Sequence, residues 1–194
     1  MKRIVRMLLM TLFLVPLFPF FLFRSHGNIK YRLSGRTIII CNHYSNFDPF
    51  FIQMKFFRTR IRFVALKIPK HKIHLRVITW LFDCIYVDPD KVDLAFYKSA
   101  IKSLNQNQVM CIFPEGVVNP RKYGFFDFKQ SYLRLAKKTN STVLPMYLYP
   151  VLKPFKRSKL YIGQVIDIAN DDRDYEVINY EVLSRLMDYQ ASLE

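Results

Sequence analysis

Glycine is scarce in this chain: five in 194 residues, at positions 27, 35, 116, 124 and 163. No two stand closer than eight positions. That spacing excludes both G-x-G-x-x-G and G-x-x-x-x-G-K-[ST], the loops that cradle phosphates on backbone N–H groups. Cysteine is scarcer still, with three, which cannot pair completely. A disulfide scaffold is therefore excluded, and the cysteines read as reduced, buried core. Neither His-Glu-x-x-His nor Cys-x-x-Cys occurs, so no metal site is expected. Acids are also few, 15 against 30 Lys and Arg, for a net charge of +15. Eight of those acids lie in residues 167–194 beside Arg173 and Arg185, which leaves residues 1–166 with a net +21. Nucleic acid, anionic lipid headgroups and an acidic carrier protein would all be drawn to such a field, and charge alone does not choose among them.

A hydrophobic fraction of 51% excludes a disordered chain. At ~150 residues per domain the length gives one domain with appendages. The first appendage follows Lys2, Arg3 and Arg6. The uncharged run Met7–Phe23 would reach ~26 Å as a helix, against a hydrocarbon core of ~30 Å. Pro16 and Pro19 interrupt its hydrogen-bond ladder and Arg24 closes it with charge, so a bent, shallow membrane anchor at the cytoplasmic face fits better than a straight crossing. A cleaved signal peptide is the competing plan, with Ser25 and Gly27 as its small residues.

From Asn28 onward, apolar β-branched runs alternate with stretches of helical spacing, the signature of an α/β domain. Strands are expected near Ile29–Leu33, Thr37–Cys41, Ile61–Leu66, Cys84–Val87, Val109–Phe113, Thr142–Tyr149 and Leu160–Ile168. Helices are expected over Pro49–Phe57, His71–Phe82, Val92–Leu104, Phe128–Lys138 and Tyr175–Leu193. In the last of these, Ile178, Val182, Leu186, Tyr189 and Leu193 form a packing face. The organisation predicted is a membrane anchor over 1–27, a catalytic domain over 28–168 and a helical extension over 169–194.

Four histidines make the search for chemistry short. His26 borders the anchor, and His71 and His74 sit among Lys67, Lys70, Lys72 and Arg76. His43 differs: it follows an apolar strand, and Asp48 lies five residues on, directly before Pro49. Asp-Pro there reads as an N-cap followed by proline at the first helical position, which sets His43 in a strand-to-helix turn near Asp48. A carboxylate on one imidazole nitrogen fixes the tautomer and leaves the other nitrogen to take a proton from a hydroxyl. A turn histidine beside an ordinary capping aspartate is the plainer alternative. A second turn, Pro114-Glu115-Gly116, ends the strand Val109–Phe113 at its carboxyl end, the usual place for ligand groups in an open α/β sheet. The basic, aromatic stretch after it includes Arg121, Lys122 and Lys129.

Asn42-His43-Tyr44-Ser45-Asn46-Phe47-Asp48 resembles the Asn-His-x-x-x-x-Asp block of the glycerolipid acyltransferases, the lysophosphatidic acid acyltransferase or PlsC family. Phe113-Pro114-Glu115-Gly116 resembles that family's Phe-Pro-Glu-Gly block, at the family's spacing, and Phe128-Lys129 and Val143-Leu144-Pro145-Met146 resemble the two elements that follow. The resemblance implies a single mixed-sheet α/β domain with flanking helices. It implies His43 as the base and Asp48 as its orienter, with backbone N–H groups near the helix start facing the oxyanion. It also implies a substrate-binding set of Asn42, Phe113, Pro114, Glu115 and Gly116, to which Arg121, Lys122 and Lys129 are added by position. Two features depart from the family. Pro89 stands where it carries arginine after Val87-Asp88, and Val117-Val118 stand where it carries Thr-Arg. Those arginines are associated there with the acceptor's phosphate.

The activity implied is membrane-associated transfer of a fatty acyl group from acyl carrier protein or coenzyme A to the hydroxyl of a lysophospholipid. The acceptor expected is 1-acyl-sn-glycerol-3-phosphate, giving phosphatidic acid, with no metal or organic cofactor. The alternative, prompted by the two missing arginines, is a non-catalytic lipid-binding or scaffold protein on the same fold. A nucleic-acid partner is not expected, because no binding motif accompanies the basic residues.

Overall fold

Runs of β-branched residues become strands in this chain, and the segments between them become helices. The computed structural model describes residues 22–67, 73–88, 93–119, 121, 124–149, 151, 153 and 155–193, together with Leu9, Leu12 and Pro16. Among these the order is β1 (Phe23–Gly27), β2 (Thr37–Cys41), α1 (Asp48–Lys55), β3 (Ile61–Leu66), α2 (Ile73–Leu81), β4 (Ile85–Val87), α3 (Leu94–Asn105), β5 (Val109–Ile112), α4 (Ser131–Thr139), β6 (Thr142–Tyr149), β7 (Ser158–Ile162), β8 (Ile166–Asp167) and α5 (Tyr175–Leu193).

The strands form one mixed sheet in the order β1-β7-β6-β2-β5-β3-β4, with β8 also paired to β6. β2 is its centre. Its sequence, Thr-Ile-Ile-Ile-Cys, has no polar face, and all five residues are buried, as a strand covered on both sides requires. Side chains alternate between two cores. Ile39 and Cys41 pack with α1 residues Phe50, Phe51 and Ile52 on one face. Ile38 and Ile40 pack on the other with Ala100 of α3, Leu133 of α4 and Val182 of α5. β2 and β5 are parallel neighbours, with Ile40 opposite Ile112, so the chain leaves both strands at the same end of the sheet. This register brings the His43 and Glu115 turns side by side.

Two strand assignments change. Residues 29–33 are not a strand; the first strand is β1, Phe23–Gly27, parallel to β7. Its polar residues fit an edge, where half the ladder faces outward. The chain turns at Gly27, where φ is +72 and a Cβ would stand 2.3 Å from the Ile162 carbonyl oxygen, so only glycine allows this approach. The run Leu160–Ile168 is divided into β7 and β8, both antiparallel to β6. Met146 faces Ile162 and Val143 faces Ile166, so three residues oppose two between these pairs. Pro145 has no N–H to offer the ladder, and Gly163 N donates to its carbonyl at 2.9 Å; the extra residue is a bulge at that point.

The proposed anchor falls largely outside the described residues. Leu9, Leu12 and Pro16 are helical and exposed, and no helix among the described residues is long and apolar enough to cross a membrane.

Candidate active site

Asn42, the first residue beyond β2, extends the sheet with its side chain. Its Oδ1 accepts from Leu148 N at 2.8 Å and its Nδ2 donates to Leu148 O at 2.9 Å. Asn42 is buried and occupied in this way, holding the strand end, and it is not among the residues that line the groove beside this turn. Its amide replaces the next backbone pair of the β2–β6 ladder, which lets the main chain turn away at His43.

His43 sits in that turn with its ring stacked on Phe113, centroids 4.1 Å apart. Nδ1 lies 3.0 Å from Asp48 Oδ2, and Asp48 is fully buried while the His43 side chain keeps 17% exposure. The same Asp48 oxygen accepts from Tyr44 N at 2.7 Å and Ser45 N at 2.8 Å, and Oδ1 accepts from Ser45 Oγ at 3.2 Å. A carboxylate only accepts, so the hydrogen-bond network assigns the proton to Nδ1 and leaves Nε2 for a substrate. Asp48 is not the helix cap that Asp-Pro suggests. The cap position is Phe47, with Asp48 the first residue of α1, and the carboxylate reaches back to hold the His43 turn. The donors at the start of α1 are also taken: Phe47 N by Ser45 Oγ, Asp48 N by Ser45 O and Phe50 N by Phe47 O. They are therefore not available to an oxyanion.

Glu115 fixes the other side of the turn. Its Oε1 accepts from His43 N at 3.0 Å, and Oε2 accepts from Asn119 Nδ2 at 2.7 Å and Phe126 N at 2.9 Å. With three protein donors on a buried carboxylate, Glu115 fixes the backbone of the His43 turn. Asn119 completes this clamp, since its N–H donates to His43 O at 2.6 Å. Sequence reasoning missed Asn119; its signal is an Asn-Pro pair after an apolar stretch, a turn initiator. Gly116, at φ +73, lies under Lys129, whose Nζ would be 3.0 Å from a Cβ there. Pro114 O accepts from Lys129 N at 2.9 Å.

These residues border a groove of about 1190 Å³, with His43, Phe113, Pro114, Gly116 and Lys129 in its lining. Apolar side chains from β3, α1, α2 and α3 make most of the rest. Among the described residues its lining carboxylates are Asp88 and Asp93, and both face Lys67, at 3.2 and 3.7 Å. Asp93 also caps α3, and the hydrogen bond from Phe96 N–H holds its carboxyl below the usual range.

Arg121 does not join this lining. It is exposed, with its guanidinium carbon 4.6 Å from the centre of the Phe126 ring. Lys122 lies outside the described residues. Arg134 of α4, which the sequence did not single out, lines the groove instead, and among the described residues no carboxylate pairs with it or with Lys129. The three cysteines are free. Burial pushes the Cys41 and Cys111 thiols well up and Cys84 to about 12, so none is a thiolate at neutral pH. Among the described residues no three His, Cys, Asp or Glu side chains converge as metal ligands do.

The chain belongs to the Acyltransferase family, whose model matches residues 23–149, the stretch from β1 to the end of β6 that contains both turns. It is similar to a probable 1-acyl-sn-glycerol-3-phosphate acyltransferase of Mycoplasma pneumoniae, 28% identical over 117 residues. That match covers 57% of this chain and 43% of the relative, so the chain spans less than half the length of the curated relative it matches. Its fold is similar to the crystal structure of the 1-acyl-sn-glycerophosphate acyltransferase PlsC from Thermotoga maritima. The TM-score is 0.67 at 20% identity, over 90% of this chain and 73% of that one.

Proposed function

We propose that the chain transfers a fatty acyl group from a thioester, of acyl carrier protein or coenzyme A, to the hydroxyl of a lysophospholipid. The acceptor in this reading is 1-acyl-sn-glycerol-3-phosphate and the product phosphatidic acid. The observation that carries it is the 3.0 Å contact between His43 Nδ1 and the buried Asp48 carboxylate at the edge of a large apolar groove.

His43 Nε2 takes the hydroxyl proton as the oxygen attacks the thioester carbonyl carbon. The imidazolium that forms is stabilised by Asp48, whose position Tyr44 N–H and Ser45 N–H maintain. The tetrahedral intermediate then collapses, the C–S bond breaks, and the departing thiolate receives the proton from His43. No acyl-enzyme is needed, in keeping with three cysteines held as thiols. Apolar lining suits acyl chains, while the ammonium of Lys129 and the guanidinium of Arg134 suit an anionic headgroup. Arg134 thereby supplies charge that Val117, Val118 and Pro89 cannot.

The reading includes an N-terminal membrane anchor ahead of β1, at the cytoplasmic face. An acyl-transfer assay with both thioester donors against a panel of lysolipids, read by lipid mass spectrometry, tests the whole. Transfer that depends on His43 supports it, and lipid binding without transfer to any acceptor leaves the scaffold alternative.

A further inference from the structure

Helix α2 forms one wall of the groove, and its inner side chains Leu75, Ile78 and Thr79 line it. Its opposite side is also apolar. Ile73, Val77 and Trp80 recur at four and three residues, which puts them on one helical face, and they are 68%, 56% and 46% exposed. A helix apolar on both sides is ordinarily covered on both. Among the groove's lining residues Leu66, Leu94 and Val117 are also exposed, at 42%, 66% and 49%. Charge identifies what covers it. Residues 49–82 contain eight Lys and Arg and no Asp or Glu, and Arg76 is exposed on α2 itself. Arg60, Arg62 and Lys67 are paired with Asp83, Asp88 and Asp93 just beyond that stretch. Apolar side chains with an interfacial tryptophan beside the exposed Arg76, on a chain whose residues 1–166 carry a net +21, nevertheless match an anionic lipid surface, in both the acyl boundary and the headgroup layer.

We infer that the outer face of α2, with Ile73, Val77 and Trp80 at its centre, docks on an anionic bilayer and sets the groove's rim against the lipid. This contact is separate from any N-terminal anchor. It rests on the proposed acyl transfer only for its purpose, since a lysolipid would then pass from the bilayer into the groove without crossing water.

Trp80 is the chain's single tryptophan, so the full-length protein carries its own reporter. Mixed with vesicles of phosphatidylglycerol and phosphatidylcholine, its emission is expected to shift to the blue and to be quenched by lipids brominated along the acyl chain. Pure phosphatidylcholine vesicles should produce less of both. The Ile73→Ser/Val77→Ser variant should lose most of the quenching and lower vesicle partition by about tenfold. It should also slow transfer to vesicle-embedded acceptor while leaving transfer to detergent-dispersed acceptor unchanged. Vesicle-bound protein whose Trp80 is neither shifted nor quenched overturns the inference. So does a blue shift that grows with protein concentration in the absence of vesicles, which would assign the face to a second copy of the chain. Failure of the wild type to transfer acyl groups in detergent would strike the acyltransferase reading alone, because the fluorescence measurement does not depend on turnover.

Discussion

The two charged walls of the groove treat their cations in opposite ways. On one, Lys67 lies 3.2 Å from Asp88 and 3.7 Å from Asp93, and its ammonium is held above the usual range chiefly by the hydrogen bond to Asp88. On the other, Lys129 and Arg134 line the groove with no carboxylate paired to them among the described residues. An anion brought to the first wall meets two carboxylates; one brought to the second meets none. Under the proposed function the difference gives the groove a direction, in which the headgroup would lie beside Gly116 and Lys129, near the His43 turn, and the acyl chains along the apolar remainder. Each substitution below tests that direction.

The strongest test removes the base that defines the cationic wall's importance. His43→Ala is expected to lower turnover by ~10²–10⁴, the usual worth of a positioned general base, with the melting temperature nearly unchanged. A folded variant that turns over normally would end the proposed mechanism. Asp48→Asn keeps an oxygen for the Tyr44 and Ser45 N–H groups but removes the charge opposite the imidazolium, and a loss of up to ~10⁴ is expected. Steady-state kinetics with thermal melting separates these losses from misfolding.

Glu115→Gln tests whether that wall depends on the clamp behind it. An amide cannot accept at both ends, so it turns its NH₂ toward either His43 N or the Asn119 and Phe126 donors. Leaving buried donors unpaired costs ~1–3 kcal/mol each, which for a chain of this size lowers the melting temperature by several degrees. Turnover should fall with it, since His43 loses its backbone partner. Unchanged melting would mean that the Glu115 contacts are not what positions the turn.

What could be read in advance depended on whether local sequence alone determined the outcome. Thr37–Cys41, Ile61–Leu66 and Thr142–Tyr149 were legible to the residue, because short runs rich in β-branched, aromatic and other apolar residues, bounded by polar turns, suit a strand of a covered sheet. His43 and Asp48 were legible because five residues of chain in a strand-to-helix turn bring them together. β1 was not, since Arg24 and His26 give a strand signal only once β7 lies beside them. Asn119 was hidden for a similar reason: its partners, Glu115 and the His43 carbonyl, meet it only after β2 and β5 pair. Arg121, close to Phe-Pro-Glu-Gly in sequence, lies outside the groove lining, and Arg134 was not singled out because which face of α4 turns toward the groove is decided by packing.

Two arginine or lysine truncations then compare the walls directly. Arg134→Ala is expected to raise KM for a phosphate-bearing acceptor by about tenfold with little change in kcat, because the lost contact is with a charged group and is made equally in ground and transition states. A neutral acceptor should be affected little. Lys67→Ala removes a cation already paired with two carboxylates, and its acceptor KM should change by less than about twofold. Equal effects from the two would abolish the proposed direction of the groove.

The smallest effect is expected at Arg121, which sequence position favours as a phosphate ligand and the geometry does not. Its guanidinium lies over the Phe126 ring, outside the groove lining. Phe126 N is held by Glu115, so the loop keeps its course without the arginine. An exposed cation–π contact is worth ~0.5–1 kcal/mol, and Arg121→Ala should therefore lower the melting temperature by no more than about 2–4 °C. The acceptor KM should stay at its wild-type value. A rise confined to the KM for acidic acyl carrier protein as donor, and absent with acyl-coenzyme A, would give Arg121 a docking role outside the groove. A rise in acceptor KM matching that of Arg134→Ala would instead move the headgroup out of the groove toward the Phe126 loop, and the contrast between the two walls would no longer hold.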